Sequence, residues 1–477
     1  MTTETERAGE SEDVLLAFYG DDFTGSTDAL EGLADNGVKA VLFVEPPTAE
    51  ELSAFDDLDA IGVAGASRSM TPEEMKTELR PIFESFAAFA PPIVHYKVCS
   101  TFDSAPDIGS IGRAIDIGQS VFESPFVPVS QGTEVPLGRY VVFSNLFAVE
   151  DGDTYRIDRH PTMADHPVTP MREGDLRVHL TEQTDRSIGR VSVRELATDE
   201  AAGRALSTVS SENEIVVFDA LETDHLETIG RLLWRRASGM AAPLFTVGSS
   251  GLEHHSLVAA WEEAGLIDRS RRLYEKRDAV DRIAVVSGSA SPTTAKQIEW
   301  ANDHGFETIR LDTERLIDPD AAESARSDAV SQACETLADG GSVILYSANG
   351  PDDPTIDATR ERFERLQDEE TFETDVGLET RLGRQQGTIL RELIETMALE
   401  RVCVAGGDTS SHAIPALDVR ALEAIAPVGP GAPLCRLYSS NSTFDGLEVA
   451  LKGGQIGTRH EASDYFGAVR DGGVDKT

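Results

Sequence analysis

A pair of aspartates lies where the first predicted strand ends, followed closely by two hydroxyl side chains. The segment Gly20–Ser26 reads Gly-Asp-Asp-Phe-Thr-Gly-Ser, and it joins an apolar run at 14–20 to a helical pattern. The carboxyl ends of parallel strands are where open α/β sheets bind their ligands. A helix cap, provided by Asp22 or Thr24, is the structural alternative, but a cap needs only one such side chain. The second carboxylate therefore predicts a ligand-binding site.

A lysine inside an apolar strand pattern is the second candidate. Lys97 lies in the run Tyr96–Ser104, and the chain has only seven lysines among its 42 basic residues. Burying an ammonium group is unfavourable unless the group meets an anion, so Lys97 is predicted to face an anionic ligand. The alternative is a structural ion pair with Asp103 or Asp21.

An arginine follows a third predicted strand. Ser67-Arg68-Ser69 comes after the apolar run at 60–65, so we expect it at the same edge of the sheet. The planar guanidinium of Arg68 can bind a carboxylate through two parallel hydrogen bonds. The alternative is a lone surface arginine with no role in binding.

Three glycine-rich turns follow predicted strands in the second half of the chain, at Ser287–Pro292, Ala405–Ser411 and Lys452–Gly457. Backbone N–H groups in such turns can cradle a phosphate, and glycine lets the backbone approach a ligand closely. Three of them in one block indicate a nucleotide, and ordinary tight turns are the alternative. The patterns GxxxxGK[ST] and GxGxxG are both absent from the sequence, which disfavours the two nucleotide-binding classes that they mark.

A segment rich in histidine and proline runs from His160 to Met171. Its two histidines, His160 and His166, are six residues apart. Metal ligation would usually bring further ligands in register, so we expect instead a shaped loop that closes over the substrate. The four cysteines form no CxxC pair, and neither a zinc site nor a disulfide framework is predicted.

Short apolar runs alternate with helical patterns along the chain, and this alternation predicts an α/β fold with largely parallel sheets. The predicted strands are 14–20, 39–45, 60–65, 93–99, 139–145, 215–220, 243–248, 282–288, 342–348, 401–407 and 447–454, with helices at 24–36, 71–88 and 107–122 among them. The charged segment 266–282 separates two such blocks. We therefore predict two α/β domains, at 13–265 and 283–470, joined by a linker at 266–282.

The composition is that of a folded two-domain enzyme, with 477 residues of which 40% are hydrophobic and 26% charged. Eighty-four acidic against 42 basic residues give a net charge of −42, which disfavours binding to nucleic acid or to an anionic membrane. An acidic surface poor in lysine suits a salt-rich cytoplasm, so we interpret the charge as halophilic adaptation. No apolar run approaches the roughly 20 residues of a membrane span, and the first residues do not resemble a signal peptide. A cytoplasmic location is predicted.

Taken together, these motifs resemble the four-carbon acid sugar kinase family, whose members phosphorylate threonate, erythronate or 3-oxo-tetronate with ATP. The resemblance covers about residues 14 to 470. Its most specific segments are Gly20–Gly25, Tyr96–Ser104, His166–Met171, Gly248–Leu252, Ser287–Ser289, Gly406–Thr409 and Lys452–Gly457.

This resemblance implies an N-terminal domain that binds the sugar acid and a C-terminal domain that binds ATP, with the active site in the cleft between them. One aspartate of the pair, Asp22 slightly before Asp21, would orient or deprotonate the attacking hydroxyl, and Arg68 or Lys97 would bind the substrate carboxylate. The residues implied for the sugar acid are Asp22, Arg68, Lys97, Cys99, Ser100 and Thr101. Those implied for ATP are Ser287, Gly406, Gly407, Asp408, Thr409, Gly453, Gly454 and Gln455.

Phosphoryl transfer from ATP also implies Mg²⁺, although the sequence does not identify its ligands. The expected partners are thus two small molecules, a sugar acid and ATP. Two other functions stay open at this point: an NAD-dependent hydroxy-acid dehydrogenase, and a sensor that binds sugar acid or nucleotide without turnover. The sequence also leaves the oligomeric state open, a homo-oligomer included.

Overall fold

The computed structural model describes residues 14–133, 137–150, 152–164, 169–274, 277–368, 376–454, 456–457 and 464–473. The strands are β1 Leu16–Gly20, β2 Ala40–Phe43, β3 Ala60–Ala64, β4 Ile93–Lys97, β5 Val127–Ser130, β6 Arg139–Val142, β7 Asn145–Glu150, β8 Asp153–Arg156, β9 Ile188–Val191, β10 Ile215–Phe218, β11 Leu244–Gly248, β12 Ala284–Ser287, β13 Phe306–Arg310, β14 Ser342–Tyr346, β15 Arg401–Ala405, β16 Val419–Gly429, β17 Ala432–Ser439 and β18 Glu448–Lys452.

The α-helices are α1 Phe23–Asp35, α2 Ala49–Leu52, α3 Pro72–Phe89, α4 Ile111–Phe122, α5 Leu176–Thr181, α6 Asp199–Val209, α7 Thr223–Ala237, α8 Leu257–Glu263, α9 Pro292–Asp303, α10 Thr313–Ile317, α11 Ala322–Ala338, α12 Pro354–Asp368, α13 Leu378–Met397, α14 Gly407–Ala413 and α15 Tyr465–Arg470. Short 3₁₀ turns at Ser67–Ser69, Ile157–Arg159 and Ile414–Leu417, and a π-helical turn at Leu252–Ser256, complete the described elements.

One large sheet of 15 strands forms the centre of the molecule, in the order β13-β14-β12-β15-β18-β17-β16-β2-β3-β1-β4-β11-β5-β10-β9. The N-terminal strands, from β2 to β9 in this order, pair in parallel, and so do the C-terminal strands from β13 to β18. This confirms the predicted α/β class. The two predicted sheets are, however, joined into one.

The joint between the two halves of the sheet is a long antiparallel hairpin. β16 and β17 pair with each other, β17 pairs with β18, and β16 pairs with β2 of the N-terminal half through Ala421–Phe43 and Leu422–Leu42. Neither hairpin strand was predicted. Several register shifts interrupt the β16–β17 pairing, and such bulges disturb the alternation on which strand prediction depends.

Hydrophobic layers cover both faces of the sheet. In β1, Leu16 and Phe18 belong to one buried cluster and Ala17 and Tyr19 to another, as expected for a parallel strand with helices on both sides. The first of these clusters continues into the C-terminal half and includes Val286 of β12. The two halves therefore share a hydrophobic layer, which fixes their strand ends relative to one another.

The predicted strand at 139–145 was wrong in its placement. It is split into β6 and β7, which form a separate three-stranded antiparallel sheet with β8. The turn between them contains Phe143 and Ser144, both with positive φ (49° and 65°). Both backbone N–H groups donate to the carboxylate of Asp219 at 2.7 Å, and this anchor holds a conformation that non-glycine residues rarely adopt.

The segment predicted as a linker, 266–282, contains no helix or strand among its described residues; the domain boundary itself stays a prediction. The acid-rich stretch that begins at 352 forms α12 over much of its described part. Among the residues that the structure describes, no helix is both long enough and apolar enough to cross a membrane.

Candidate active site

Asp22 caps α1 with one carboxylate oxygen and pairs with an arginine through the other. Its Oδ1 accepts a hydrogen bond from the Gly25 N–H at 2.8 Å, which caps α1, while its Oδ2 accepts one from the Thr24 hydroxyl at 2.9 Å. The same Oδ2 lies 2.8 Å from Nη2 of Arg68. Burial alone would raise the pKa of Asp22, but the positive charges of Arg68 and Lys97 and these hydrogen bonds hold it below its usual value. Both oxygens of the Asp22 carboxylate are therefore engaged, and its surroundings favour the ionised form.

Asp21 differs from its neighbour. It is 3% exposed, and its Oδ2 accepts a hydrogen bond from the Cys99 N–H at 3.3 Å. Its Oδ1 is buried and has no hydrogen-bond partner among the described residues. Burial raises the pKa of Asp21 to about 7, and the charge of Asp22 adds to the rise, while Arg68 and Lys97 limit it. A carboxylate that titrates near neutral pH with one free oxygen is suited to accept a proton.

Lys97 is 2% exposed at the end of β4 and points toward the aspartates. A Cβ atom at Gly25 would lie 2.2 Å from its Nζ and 2.4 Å from Oδ1 of Asp22, so the site requires glycine there. Burial would lower the pKa of Lys97, but the charges of Asp28, Asp22 and Asp21 raise it. The described structure has no carboxylate within 4.0 Å of Nζ, so the structural ion pairs considered above are not formed.

The strand end after Lys97 adds further polar groups. The Cys99 thiol contacts the Thr101 hydroxyl at 3.0 Å, and that hydroxyl donates to Asp103. Burial raises the pKa of Cys99 to about 11, so it is a neutral thiol and a poor nucleophile. Ser100 is half-buried at the same position. The structure thus brings together all six residues that were predicted for the sugar acid.

The N-terminal cluster touches the C-terminal half directly. Arg68, which pairs with Asp22, also lies 3.5 Å from Asp408. The backbone at Gly407 packs so closely that a Cβ atom there would lie 2.9 Å from Nη2 of Arg68 and 3.0 Å from Oδ2 of Asp22. A hydrogen bond from the Phe23 N–H to Oγ of Ser411 (3.4 Å) adds a second link. The aspartate pair and the second glycine-rich turn therefore form one site.

The three glycine-rich turns of the C-terminal half converge. A Cβ atom at Gly288 would lie 2.1 Å from the Thr409 hydroxyl, and one at Gly454 would lie 3.0 Å from the Ser289 hydroxyl. Gly406 has a φ of 124°, and a Cβ atom there would lie 2.7 Å from the same Thr409 oxygen. The Ser287 hydroxyl is buried without a partner among the described residues. Of the residues predicted for ATP, only Gln455 lies outside the described residues.

Lys452 holds the turn at 452–457 in place through hydrogen bonds, a role that the sequence did not suggest. Its Nζ donates to the Thr294 hydroxyl at 2.9 Å and to the carbonyl oxygens of Gly453 and Gly454 at 3.0 and 3.5 Å. Burial lowers the pKa of Lys452 to about 7. This lysine is a structural brace whose hydrogen bonds fix the shape of the loop.

A second network that sequence reasoning missed holds α1 in place. Asp28 accepts hydrogen bonds from His254 (3.1 Å) and from Ser250, both in or next to the π-helical turn. Glu31, one turn further along α1, accepts one from the Gly431 N–H at 2.6 Å. Asp28 and His254 are 226 positions apart, so no local pattern could have paired them. The helix that carries the site is thereby fixed to both halves.

Among the described residues, no group of three or more His, Cys, Asp or Glu side chains is arranged to hold a metal. His160 of the predicted histidine-rich loop is buried, while His166 lies outside the described residues. A magnesium ion that arrives with ATP needs only one or two protein carboxylates. Asp408, whose side chain is 56% exposed beside the glycine turn, satisfies that requirement.

Comparisons with known proteins agree with this division of the site. Residues 16–256 match the family described as a sugar-binding N-terminal domain, and residues 284–461 match a nucleotide-binding C-terminal domain. The 3-oxo-isoapionate kinase of Paraburkholderia graminis is 44% identical over 96% of this chain and 94% of its own length. The 3-oxo-tetronate kinase of Cupriavidus necator is 27% identical over 95% of each chain.

Solved structures support the fold. A protein of Salmonella typhimurium LT2 superposes with a TM-score of 0.69, at 23% identity, over 97% of this chain and 100% of its own. A Haemophilus influenzae protein superposes with a TM-score of 0.64, at 20% identity, over 95% of this chain and 100% of its own.

A sugar-binding half and a nucleotide-binding half that meet at a buried carboxylate pair define a two-domain sugar kinase. The chain belongs to the four-carbon acid sugar kinase family, and it is a sugar-acid kinase.

Proposed function

We propose that this kinase transfers the γ-phosphoryl group of ATP to a hydroxyl of a 3-oxo sugar acid, with 3-oxo-isoapionate as the first candidate. The support is the 44% identity to a 3-oxo-isoapionate kinase along almost the whole of both chains. The 3-oxo-tetronate kinases, at 27% identity, make a four-carbon 3-oxo acid the second candidate.

The observation that carries the proposal is the contact between the aspartate pair and the glycine turn at Gly407. The Arg68 guanidinium lies between Asp22 and Asp408, and a γ-phosphate held at that turn would meet a hydroxyl held at Asp21. Phosphoryl transfer requires mainly alignment of the two reactants and neutralisation of their charge. Arg68 and Lys97 supply positive charge at this point.

We assign the proton-accepting role to Asp21, in place of the slight preference for Asp22 that the sequence suggested. Asp21 has a free carboxylate oxygen and a pKa near 7, whereas Asp22 is engaged by Arg68, Thr24 and the cap of α1. In the proposed step, the substrate hydroxyl loses its proton to Asp21 while its oxygen bonds to the γ-phosphorus and the bond from that phosphorus to ADP breaks.

We propose that ATP is held by Ser287, the turn from Gly406 to Thr409 and the loop from Gly453 to Gln455. These segments offer backbone N–H groups and hydroxyls, which bind phosphate without introducing further charge. Asp408 would hold Mg²⁺, which supplies charge neutralisation on the ATP oxygens when bound. Because the reaction uses ATP, we keep the cytoplasm as the proposed location.

The test is ADP release measured with ATP and Mg²⁺ in molar KCl. The acceptors are 3-oxo-isoapionate, 3-oxo-tetronate, threonate and erythronate. We expect one 3-oxo acid to be turned over with kcat/KM of about 10⁴ M⁻¹s⁻¹ or more. NAD-dependent absorbance change without ADP release would favour the dehydrogenase. Calorimetric binding of an acid or of ATP without any turnover would favour the sensor.

We also propose that the excess of 84 acidic over 42 basic residues adapts the protein to high salt. Salt screens the repulsion among surface carboxylates, with a Debye length of about 3 Å at 1 M. The midpoint of thermal unfolding should therefore rise steeply between about 0.1 and 2 M KCl. A midpoint that does not change would contradict the adaptation.

A further inference from the structure

A second group of polar side chains lies next to Cys99. It consists of Arg139 at the start of β6, Gln131 and His160, and we call it the Arg139 cluster. Gln131 donates from Nε2 to the Cys99 carbonyl at 2.7 Å. The charge of Arg139 acts on both Cys99 and His160. The cluster is therefore contiguous with the aspartate pair, but the phosphoryl transfer described above does not use it.

Arg139 differs from Arg68 in its partners. Nη1 of Arg139 donates only to backbone carbonyls, those of Leu137 (2.7 Å), Val149 (3.3 Å) and Gly138 (3.4 Å). Its Nε is buried without a hydrogen-bond partner among the described residues, and none of their carboxylates lies within 4.0 Å of the guanidinium.

Burial lowers the pKa of Arg139, although nearby groups such as Cys99 and Glu150 act in the opposite direction. A buried guanidinium without a paired anion is unfavourable unless a ligand provides one. Arg68, by contrast, already has two aspartates as neighbours.

His160 presents a second unused donor. The side chain is nine-tenths or more buried, with 4% of the residue exposed. Its Nδ1 faces the N–H groups of Thr162 and Met163 at 3.3 and 3.4 Å and also lies 3.5 Å from Oε2 of Glu150. The two N–H groups favour the neutral tautomer with its proton on Nε2. That Nε2 has no partner in the described part of the chain. Burial and the charge of Arg139 keep the ring neutral by lowering its pKa, against the opposing charge of Glu150.

Gln131 completes the cluster with an acceptor. Gln131 is fully buried, and its Nε2 donates to the Cys99 carbonyl. Its Oε1 has no hydrogen-bond partner among the described residues. Oε2 of Glu150, 3.5 Å from Nδ1 of His160, is a second buried acceptor without a hydrogen-bond partner among the described residues. Two buried donors and two buried acceptors fit a small ligand that bears a carboxylate next to hydroxyl groups.

We propose that Arg139 binds the carboxylate of the acid sugar, with Nε2 of His160 as a second donor, and thereby determines that the substrate is an acid. This inference rests on the proposed function. The substrate would extend from Arg139 past Cys99, with its reacting hydroxyl at Asp21. Arg68, which the sequence suggested for the carboxylate, would then act on the transferred phosphoryl group from its place between Asp22 and Asp408, while Lys97 would contact the hydroxyl end of the sugar acid.

The test compares wild type with Arg139→Gln and Arg139→Lys, using the sugar acid and its neutral carboxamide as acceptors. Loss of a charge-assisted pair should raise KM for the acid about 10- to 100-fold in Arg139→Gln. KM for ATP should stay unchanged, while the thermal midpoint should fall, because hydrogen bonds to backbone carbonyls are lost. Wild type should bind the carboxamide correspondingly more weakly than the acid, whereas Arg139→Gln should bind both alike. Arg139→Lys should recover part of the preference for the acid.

The matched control is Arg190→Gln, which removes an arginine of the same half that lies over the Phe143 ring; it should leave both KM values unchanged. If Arg139→Gln keeps the wild-type KM for the acid, or if wild type does not prefer acid over carboxamide, the role of Arg139 is wrong while the kinase assignment stands.

If wild type turns over no acid, calorimetric titration of the acid is decisive. Loss of binding in Arg139→Gln would support the site without the kinase, and no binding to wild type would overturn both. Should Arg139→Gln not fold, Arg139→Lys carries the same acid-against-carboxamide comparison.

Discussion

The two halves of the candidate active site differ in the kinds of chemical group that they contribute. The N-terminal half places Asp21, Asp22, Arg68 and Lys97 within one buried cluster, and their pKa values are shifted in both directions. The C-terminal half offers hydroxyls, backbone and glycines; its buried lysine, Lys452, is used to brace a loop. The comparison teaches that the two roles in the proposed function call for different groups: charged side chains for proton transfer, and closely packed backbone for polyphosphate recognition.

This difference has a physical reason. A proton acceptor must have a pKa near the working pH, and burial next to a second carboxylate raises the pKa of a carboxyl group into that range. A nucleoside triphosphate is itself negatively charged and binds together with a metal ion. Its site needs N–H groups at the right positions, and glycine provides these by allowing close approach. Substitutions should therefore affect catalysis in one half and nucleotide binding in the other.

The largest effect is expected for Asp21→Asn, which should lower kcat by about 10²- to 10⁴-fold, the usual contribution of a general base. KM for ATP should stay unchanged. Because a base must be deprotonated to act, wild-type kcat/KM should rise with pH through about 7, the pKa of Asp21, and then level off. Steady-state kinetics between pH 5.5 and 9 measures both.

Asp22→Asn is the matched comparison for that prediction. It should also reduce turnover, because Arg68 loses its pair with Asp22. Activity should still rise with pH, but with a midpoint below that of wild type, because the charge of Asp22 no longer raises the pKa of Asp21. If Asp22→Asn abolishes the pH dependence and Asp21→Asn retains it, the two roles are exchanged.

Lys97→Met should raise KM for the sugar acid by about 10- to 100-fold, since a charge-assisted interaction is lost. It should also move the pH midpoint of kcat/KM upward, because Lys97 limits the pKa of Asp21. Lys39→Met, which alters a lysine near the surface of the same half, serves as the control. An unchanged KM together with an unchanged pH midpoint would reassign Lys97 to a structural role.

Gly406→Ala should raise KM for ATP by roughly 10-fold with a smaller effect on the sugar acid. The added Cβ would lie 2.7 Å from the Thr409 hydroxyl and 3.4 Å from the Ser289 nitrogen, and so would distort the turn. Gly446→Ala is the control, because Gly446 also has a positive φ (82°) but nothing lies within 4 Å of its Cβ position. Equal effects on ATP binding in both variants would mean that backbone strain alone is responsible.

The smallest effect on activity is expected for Asp28→Asn, which should act on stability. Burial lowers the pKa of His254, but Asp28 raises it by more. The charged His254 therefore contributes fully to the free energy of unfolding below about pH 6.5, and this contribution is lost as the pH rises through the pKa of His254 in the folded state. The pKa of Asp28 is lowered by the same pair despite burial, so its contribution is lost as the pH falls through its folded value.

Wild type should therefore exceed Asp28→Asn in free energy of unfolding by about 1–3 kcal/mol, most clearly between about pH 4 and 6.5. Denaturant titrations at pH 6 and pH 9 measure the difference. Asp199→Asn, which breaks a surface pair with Arg231, should change it by less than about 1 kcal/mol. A difference that is the same at both pH values would argue against the charged pair.

The residues at strand ends could be predicted because parallel strands bring their carboxyl ends to one edge. Asp21, Asp22, Arg68 and Lys97 follow three different strands, and the structure places them together for that reason. The hairpin that joins the two halves was not predictable, because its bulges break the strand period. The difference between Asp21 and Asp22 was not predictable either, because it depends on which of their carboxylate oxygens form hydrogen bonds. Arg139 and His160 lie far apart in sequence, and their relation depends on tertiary structure alone.

The division of the site can be tested most directly by amide hydrogen exchange, followed by mass spectrometry, with one ligand added at a time. A non-hydrolysable ATP analogue with Mg²⁺ should slow exchange in peptides that cover 287–291 and 406–411. The sugar acid alone should slow exchange at 20–26 and 97–103. If the nucleotide alone protects 20–26 and leaves 406–411 unaffected, the assignment of the sugar acid to the charged N-terminal cluster and of the nucleotide to the C-terminal glycine turns is contradicted.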